Sequence, residues 1–149
     1  MANFAYTPFA TRLQTGDIDN EEAANDVRVL LVMTNTTADT DRDAANLAAI
    51  GTLDEYDGAN YVRKALANQV VNQDDPNNRA EFDADDFSWL ALGVGTRQAQ
   101  AMLYYRHVDG TAANDLPIAF VDSGGFPFNG NGGTVAVAFN AEGLVQTTT

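Results

Sequence analysis

The sequence predicts a mainly β protein, with one antiparallel β-sandwich or jelly-roll-like domain and one or two short helices in its N-terminal half. Two observations predict this fold class. Several short apolar or alternating runs are separated by turns rich in Gly, Asn, Asp and Pro, and little of the chain has a helical period. The 149 residues, 45% of them hydrophobic, are enough for a single domain over 1–149 with its own core.

The stretch 79–106 is predicted to be the centre of the fold, as a hairpin of two strands that carries the only tryptophan of the chain. Its second strand alternates strictly, which favours a half-buried antiparallel strand. The residues predicted to face inward are Phe87, Trp89 and Ala91 in the first strand and Ala99, Ala101, Leu103 and Tyr105 in the second.

The first helix is predicted between Thr7, which can cap its start, and Gly16, which suits the left-handed position after its end. Pro8 suits the first helical position, and Phe9 and Leu13 lie one turn apart on the face that would dock.

Beyond this helix, an acidic connector leads into the apolar run 26–34, predicted to be a central strand covered on both faces. The later elements are predicted from short apolar runs and turn residues. They are a short helix over 44–50 behind Asp43, strands at 66–71, 116–121 and 134–139, a turn at 74–78, a flexible exposed glycine-rich loop at 123–133, a turn at 140–143 and a last extended piece at 144–147.

Composition excludes several classes of function. The chain has 8 basic and 21 acidic residues and a net charge of -13, which argues against binding to nucleic acid. It contains no cysteine, which excludes disulfides, zinc-thiolate sites and cysteine nucleophiles. No window approaches the roughly 18 apolar residues of a membrane span, and the N-terminus lacks the pattern of a secretory signal. We therefore expect a soluble protein without a membrane partner.

The sequence predicts a protein that is not an enzyme. Asp122-Ser-Gly-Gly125 resembles the end of a serine-protease nucleophile motif, but that chemistry needs a histidine base and an acid to orient it. His107 is the only histidine, and its surroundings in the sequence match no protease motif. Gly93-Val-Gly95 lacks the third glycine and the helix of a dinucleotide fingerprint. No catalytic residue and no cofactor are predicted.

The acidic loops leave one question about metals open. The alternating acids Asp39, Asp41 and Asp43 resemble the start of a calcium loop, but an EF-hand would then need glycine and glutamate where the chain has Ala44 and Ile50. No metal site is predicted. The alternative is a calcium site of another kind, built from these acids or from Asp83, Asp85 and Asp86.

Taken in order, a set of segments resembles a family of small structural proteins encoded among the virion genes of tailed bacteriophages. The most specific are Phe82-Asp-Ala-Asp-Asp-Phe-Ser-Trp89 and the closing strand with its Asn-Ala-Glu-Gly143 turn. The others are Tyr6 to Leu13 with Gly16-Asp-Ile, Asp26 to Thr34, Leu53-Asp-Glu-Tyr, Gly58-Ala-Asn-Tyr61, the strand to Tyr105, and Leu116 to Phe120. The chain departs from the family pattern at Phe139, where tryptophan is usual.

The resemblance implies a virion component without catalytic residues, and it favours a decoration (cement) protein on the outer surface of the head. Its partners would be the major capsid protein and further copies of itself, as a homodimer or homotrimer. It would be made in the host cytoplasm. A position on the tail or connector is the alternative location.

Two groups of aromatic residues are candidates for contact with the capsid or another partner. Residues 1–9 form a candidate N-terminal arm with Phe4, Tyr6 and Phe9, and the glycine-rich loop carries Phe126 and Phe128. Packing of both groups against the domain's own core is the alternative.

The competing hypothesis is a tail- or fibre-associated β-sandwich that binds a carbohydrate or receptor. In that hypothesis Trp89, Tyr104 or Tyr105 would offer a stacking surface, and the acidic loops would bind calcium.

Overall fold

The computed structural model describes residues 3–16 and 26–139 with their side chains, and 145–148 in their backbone. The elements within these residues are β1 (Phe4–Ala5), α1 (Thr7–Thr15), β2 (Asp26–Met33), β3 (Lys64–Ala65), β4 (Val70–Asp74), β5 (Arg79–Asp83), β6 (Phe87–Leu92), β7 (Ala99–His107), β8 (Leu116–Val121), β9 (Gly133–Val137) and β10 (Val145–Thr148). Two short 3-10 turns lie at Leu47–Ala49 and Asp75–Asn77.

The strands form three antiparallel groups. The largest is a five-stranded sheet in the order β1-β8-β7-β2-β3; β6 and β9 form a two-stranded ribbon, and β10, β5 and β4 a three-stranded sheet. This confirms the predicted class: a single small, mainly β domain with antiparallel sheets, consistent with a β-sandwich.

The pair formed by β2 and β7 is the centre of the core. It runs from Asp26 opposite His107 to Met33 opposite Ala99. The prediction of a central strand at β2 is confirmed. The prediction that β7 is half-buried is wrong, because Met102 and Tyr104 are buried as well as the inward set that contains Leu103.

Each face of β7 has its own cover. On one face Leu103 lies beside Phe120 of β8, which lies beside Phe4 of β1. The rings of Phe4 and Phe120 stack with centroids 5.4 Å apart, and the Arg42 guanidinium lies over the Phe4 ring. On the other face the Tyr104 ring lies 6.2 Å from the Phe139 ring, next to the ribbon. The alternating pattern of β7 indicated one exposed face, but that second face carries Met102 and Tyr104, which are buried.

The predicted hairpin over 79–106 is not formed. β6 pairs with β9, whereas β7 pairs with β2 and β8. Ala91 was predicted to face inward but is exposed, because a bulge interrupts β6 after Trp89.

The N-terminal segment belongs to the domain. As predicted, Pro8 lies in the first turn of α1 and Gly16 ends the helix with a φ of 73°, although Tyr6 and not Thr7 is the residue before its start. Tyr6 and Phe9 are buried, and the Tyr6 hydroxyl donates to the Ala38 carbonyl at 2.7 Å. From residue 3 onward, the candidate arm is therefore an ordered part of the fold.

Other local predictions are confirmed or corrected. The strand at Leu116–Val121 and the turn at 74–78 are confirmed, the latter as a 3-10 turn followed by Asn78 at a φ of 52°. The helix predicted over 44–50 is one short turn begun by Asn46, and the strand predicted over 66–71 begins later, at Val70. The closing strand is Gly133–Val137, shorter than predicted. The turn at 140–143 lies outside the described residues.

The Tyr56 hydroxyl joins three separate parts of the chain. It lies 2.8 Å from the Gly93 carbonyl oxygen and 2.6 Å from Asn129 Oδ1, and donates its proton to this pair of acceptors. It accepts the backbone N–H groups of Gly95 and Gly130 at 2.9 Å each. The Gly95 N–H also donates to Asn129 Oδ1 at 2.8 Å, whereas the Gly93 carbonyl and the Gly130 N–H form their hydrogen bonds with the buried Tyr56 hydroxyl.

The hydrogen bonds to the Tyr56 hydroxyl also hold Asn129 and Gly130, at the end of the glycine-rich loop. The prediction that this loop is flexible is therefore wrong at residues 128–130. Phe128 also exchanges two backbone hydrogen bonds with Ala99, at 2.7 and 3.0 Å. A side chain could not replace hydrogen at Gly130, since an added Cβ would lie 2.1 Å from the Gly93 carbonyl oxygen.

Tyr56→Phe is predicted to lower the free energy of unfolding by about 1–3 kcal/mol, because it leaves buried N–H and C=O groups unsatisfied. Urea denaturation measures the change. Tyr104→Phe is the matched control: Tyr104 is equally buried, but the hydrogen bond of its hydroxyl is to the Met102 sulfur, at 3.5 Å. We expect the control to change stability by less than about 0.5 kcal/mol. Equal effects of the two substitutions would show that the Tyr56 hydroxyl has no special role.

Candidate interaction surface

Four aliphatic side chains in the described residues are more than half exposed. Leu90 and Val94 are 67% and 69% exposed, Val62 is 57% exposed, and Val108 is 53% exposed. Single exposed aliphatic residues are ordinary on a protein surface, whereas neighbouring ones indicate a contact surface. Val62 and Leu90 lie on two segments that the fold places side by side, and Val94 lies in the turn that follows one of them.

The segments 59–62 and 89–93 run along each other in opposite directions. The Gly93 N–H donates to the Ala59 carbonyl at 2.8 Å, and the Asn60 amide donates to the Ala91 carbonyl at 2.9 Å. At the other end, the indole N–H of Trp89 donates to the Val62 carbonyl at 2.8 Å. We call the exposed apolar residues of these segments and the adjoining turn the apolar patch: Ala59, Val62, Leu90, Ala91 and Val94.

The patch is built on a β-bulge. Trp89 lies opposite Val135 and Leu92 opposite Gly133, so β6 has one residue more than β9 over this interval. Ala91 takes a φ of 50°, in the left-handed region that a residue with a Cβ seldom adopts. The bulge turns both Leu90 and Ala91 to solvent, although strict alternation would expose only one of them. Backbone strain of this kind is a feature of functional sites.

Below the patch the packing is close. Trp89 is buried, and its ring lies 6.3 Å from that of Tyr61. An added Cβ at Gly93 would lie 2.9 Å from the Ala59 Cβ, and one at Gly95 would lie 2.7 Å from the Tyr56 ring. These two glycines therefore serve close packing, which gives Gly93-Val-Gly95 a structural role. The exposed aliphatic side chains of the patch therefore lie on a closely packed layer.

The patch is uncharged and is bordered by charged residues of both signs: Asp57 and Arg63 flank one stretch, and Asp86 and Arg97 flank the other. The stretches 58–62 and 87–96 contain no charged residue, in a chain whose net charge is -13. On the border, the Asp57 carboxylate accepts the Thr96 N–H and hydroxyl at 2.8 Å each, and these hydrogen bonds hold the pKa of Asp57 below its usual value. Asp54 forms an ion pair with Arg97, whose hydrogen bond is the largest cause of the lowered pKa of Asp54. The contacts of Asp54 and Asp57 with Thr96 and Arg97 hold the turn that carries Val94 in place.

The five aromatic residues predicted to contact a partner differ in how deeply they are buried. Tyr6 and Phe9 are core residues and are not available to a partner, which corrects that expectation. Phe4 is half-buried against Phe120. Phe126 and Phe128 are half-buried, and their rings lie 5.3 Å apart. The last two remain candidates for a partner contact.

The residues named for the adhesion hypothesis are not exposed. Trp89, Tyr104 and Tyr105 are each at most 1% exposed, so none of them offers a face for stacking on a sugar. The described residues contain no group of three or more acids or histidines placed to hold a metal ion. Within the first acidic loop, the Asp41 carboxylate instead accepts the Thr37 hydroxyl at 2.6 Å and the Gly51 N–H at 2.8 Å.

Ser123 and His107 lie at opposite ends of the central sheet. Ser123 follows the end of β8 that pairs with Met102, whereas His107 ends β7. Five residues of extended strand separate Met102 from His107, about 17 Å. The Ser123 hydroxyl instead accepts the side-chain amide of Asn3 at 2.9 Å. The two residues cannot act as nucleophile and base.

A buried polar cluster surrounds Asp115, whose side chain is fully buried. Asp115 accepts the Val108 N–H at 2.9 Å and lies 3.2 Å from Nδ1 of His107. Arg63 lies 3.9 Å from it and forms two hydrogen bonds to Glu55, at 2.7 and 2.8 Å, which raise the pKa of Arg63. Each charged group of the cluster has a partner of opposite sign or a hydrogen bond. The cluster therefore links the end of β7 to Arg63, which precedes β3, and to Asp115, which precedes β8. The sequence pattern did not reveal the cluster, because Glu55 and Arg63 are far in the chain from His107 and Asp115.

Comparisons with known proteins identify no relative: no family description, no curated protein and no solved structure matches the chain. Within the described parts of the chain, no helix is long and apolar enough to cross a membrane.

Asp54→Asn is predicted to destabilise the fold at neutral pH, with a loss that shrinks in acid. The folded-state pKa of Asp54 is lowered, so its ion pair contributes stability above the unfolded-state pKa of about 3.9 and loses it as the pH falls through the folded-state value. Denaturant unfolding of both proteins measures the difference. We expect it to be constant from pH 7 to about 5 and to decrease below about 4. A difference that grows in acid would contradict this assignment.

Proposed function

We propose that this chain is a non-enzymatic virion structural protein, a head decoration protein that binds the outer surface of the capsid shell and bridges its subunits. The observation that carries the proposal is the apolar patch, an uncharged aliphatic surface on an otherwise strongly acidic chain. The resemblance of the sequence to phage virion proteins supplies the identity of the partner, the major capsid protein.

Covering an exposed leucine or valine stabilises a complex by about 1.5–3 kcal/mol. Leu90 and Val94 are the two most exposed large aliphatic residues described, and they stand on a supported bulge and turn. Little side-chain and backbone entropy is lost when a surface is already ordered. The patch therefore has the properties of the central part of a protein interface.

The distribution of charge fits a position on a shell. A net charge of -13 keeps separate copies apart in solution and away from packaged nucleic acid. In this proposal the copies meet as a homodimer or homotrimer on the virion, where closed symmetry repeats the patch over neighbouring capsid subunits. Weak contacts made together then combine into stable attachment.

The tail- or fibre-associated adhesion module is the weaker proposal. Its stacking residues Trp89, Tyr104 and Tyr105 are buried, whereas the patch that is exposed is aliphatic and has no aromatic face for a sugar. An uncharged aliphatic surface is better suited to a protein partner than to a carbohydrate.

The double substitution Leu90→Asp with Val94→Asp is predicted to abolish saturable binding to phage heads that lack this protein. Two added charges must be desolvated in any contact made through the patch, so we expect a loss of about 100-fold or more in affinity. Co-sedimentation with purified heads measures binding. Both side chains are largely exposed, so folding should be unaffected, which circular dichroism checks.

Val108→Asp is the matched control, since Val108 is exposed to a similar extent but lies in the turn after β7, outside the patch. It adds a charge of the same sign and should bind heads as the unaltered protein does. Equal loss with the control would assign the effect to total charge. Recovery of the unaltered protein on tails, with no binding to heads, would contradict the proposal.

A further inference from the structure

The middle of the bulge in β6 is held by a side chain of the segment beside it. The Asn60 amide donates to the Ala91 carbonyl at 2.9 Å. The residues that flank the bulge are held differently, since the indole N–H of Trp89 and the backbone N–H of Gly93 donate to carbonyls of the segment 59–62. Among the described residues, no other side chain forms a hydrogen bond with the backbone between these two. The conformation of the bulge therefore depends on one amide.

Asn60 lies in a tight turn that is packed against the bulge. Its φ is 62°, in the left-handed region, and the turn is closed by the Tyr61 N–H, which donates to the Gly58 carbonyl at 3.1 Å. Asparagine adopts this region more readily than most residues with a side chain, and its amide can also donate. An added Cβ at Gly58 would lie 2.3 Å from the Gly93 carbonyl oxygen, so the two backbones are in close contact. The turn thus brings the amide to the Ala91 carbonyl.

The backbone of Ala91 is strained without such a contact. Its φ of 50° is costly for alanine, whereas glycine would adopt it freely. The strain of one residue and the contribution of one hydrogen bond have similar magnitudes, so the amide can decide which conformation is more populated. In an extended conformation, Leu90 and Ala91 would point to opposite faces of β6. The strained conformation is the one that exposes both side chains.

We propose that Asn60 is the positioning residue of the apolar patch: its amide keeps Ala91 left-handed and thereby fixes the arrangement that a capsid subunit contacts. The inference rests on the proposed function for the identity of that partner. When only a fraction of the free protein has the binding arrangement, the apparent Kd rises by the inverse of that fraction. Release of the bulge therefore weakens binding although every aliphatic side chain of the patch is still present.

Asn60→Gly in the full chain tests the role of the amide, because glycine accepts the left-handed turn but has no side chain to donate. We expect the Cα chemical shift of Ala91, which reports its backbone dihedral angles, to move toward the extended value. Asn68→Gly is the matched control: Asn68 is also exposed, has a φ of 52° and donates its amide to Asp85 at 2.6 Å. It should leave the Ala91 signal unchanged. Asn60→Asp keeps the shape of the side chain without its donor and should act as Asn60→Gly does.

Co-sedimentation with phage heads that lack this protein measures the consequence for binding. We expect Asn60→Gly to raise the Kd about 10-fold and Asn68→Gly to change it less than about 2-fold. In the Ala91→Gly background the left-handed conformation carries no strain, so removal of the Asn60 amide should raise the Kd less than about 3-fold. A hydrogen bond with a merely structural role would give the same loss in both backgrounds.

Three results would overturn the inference. They are an unchanged Ala91 signal in Asn60→Gly, equal losses of binding in Asn60→Gly and Asn68→Gly, and a loss that is just as large in the Ala91→Gly background. A different result would separate the two proposals. If the unaltered protein does not bind heads but Asn60→Gly still shifts the Ala91 signal, the decoration role is discarded and Asn60 remains the residue that positions the patch.

Discussion

The Tyr56 hydroxyl is the interaction on which both exposed features of this protein depend. It binds the turn between β6 and β7 through Gly93 and Gly95, and the glycine-rich loop through Asn129 and Gly130. The first attachment supports the turn that carries Val94, and the second supports the loop whose Phe126 and Phe128 line a cleft of 420 Å³ together with Met102 and Tyr104. One buried hydrogen-bond centre therefore fixes the positions of two surfaces that are far apart in sequence.

The central sheet provides the frame for this arrangement. Because β2 and β7 are covered on both faces, the core is complete without the side chains of the patch. The bulge in β6 and the left-handed Ala91 impose strain that the core does not require. Exposure of Leu90 and Val94 is consequently a property of the local backbone, and it is maintained by packing around Trp89, Gly93 and Gly95. This separation lets the patch be changed without loss of the fold.

Much of the fold could be predicted from the sequence because its signals are local. The helix between Pro8 and Gly16, the apolar strand β2 and the turn at 74–78 each follow from residues that are neighbours in the chain. Strand pairing could not be predicted in the same way. β6 pairs with β9, although β7 and β8 lie between them in the chain, and nothing in the alternation of β7 distinguishes a hairpin partner from a distant one.

The candidate surface was mostly missed for the same reason. Sequence reasoning favoured aromatic side chains near the terminus, but Tyr6 and Phe9 are needed in the core. It overlooked Leu90 and Val94, because a bulge and a positive φ at Ala91 leave no clear mark on the period of a strand. The one signal available was the absence of charge over 87–96 in so acidic a chain. Phe126 and Phe128 were identified correctly as members of the glycine-rich loop, and the structure adds that they line a cleft.

The central claim is that the apolar patch is the surface that binds a capsid. Its most direct test is a cryo-electron microscopy reconstruction of heads saturated with this protein. We expect density for the protein on the outer shell, with Leu90 and Val94 against a capsid subunit and the acidic surfaces toward solvent. A reconstruction in which the protein is bound with the patch exposed to solvent would contradict it.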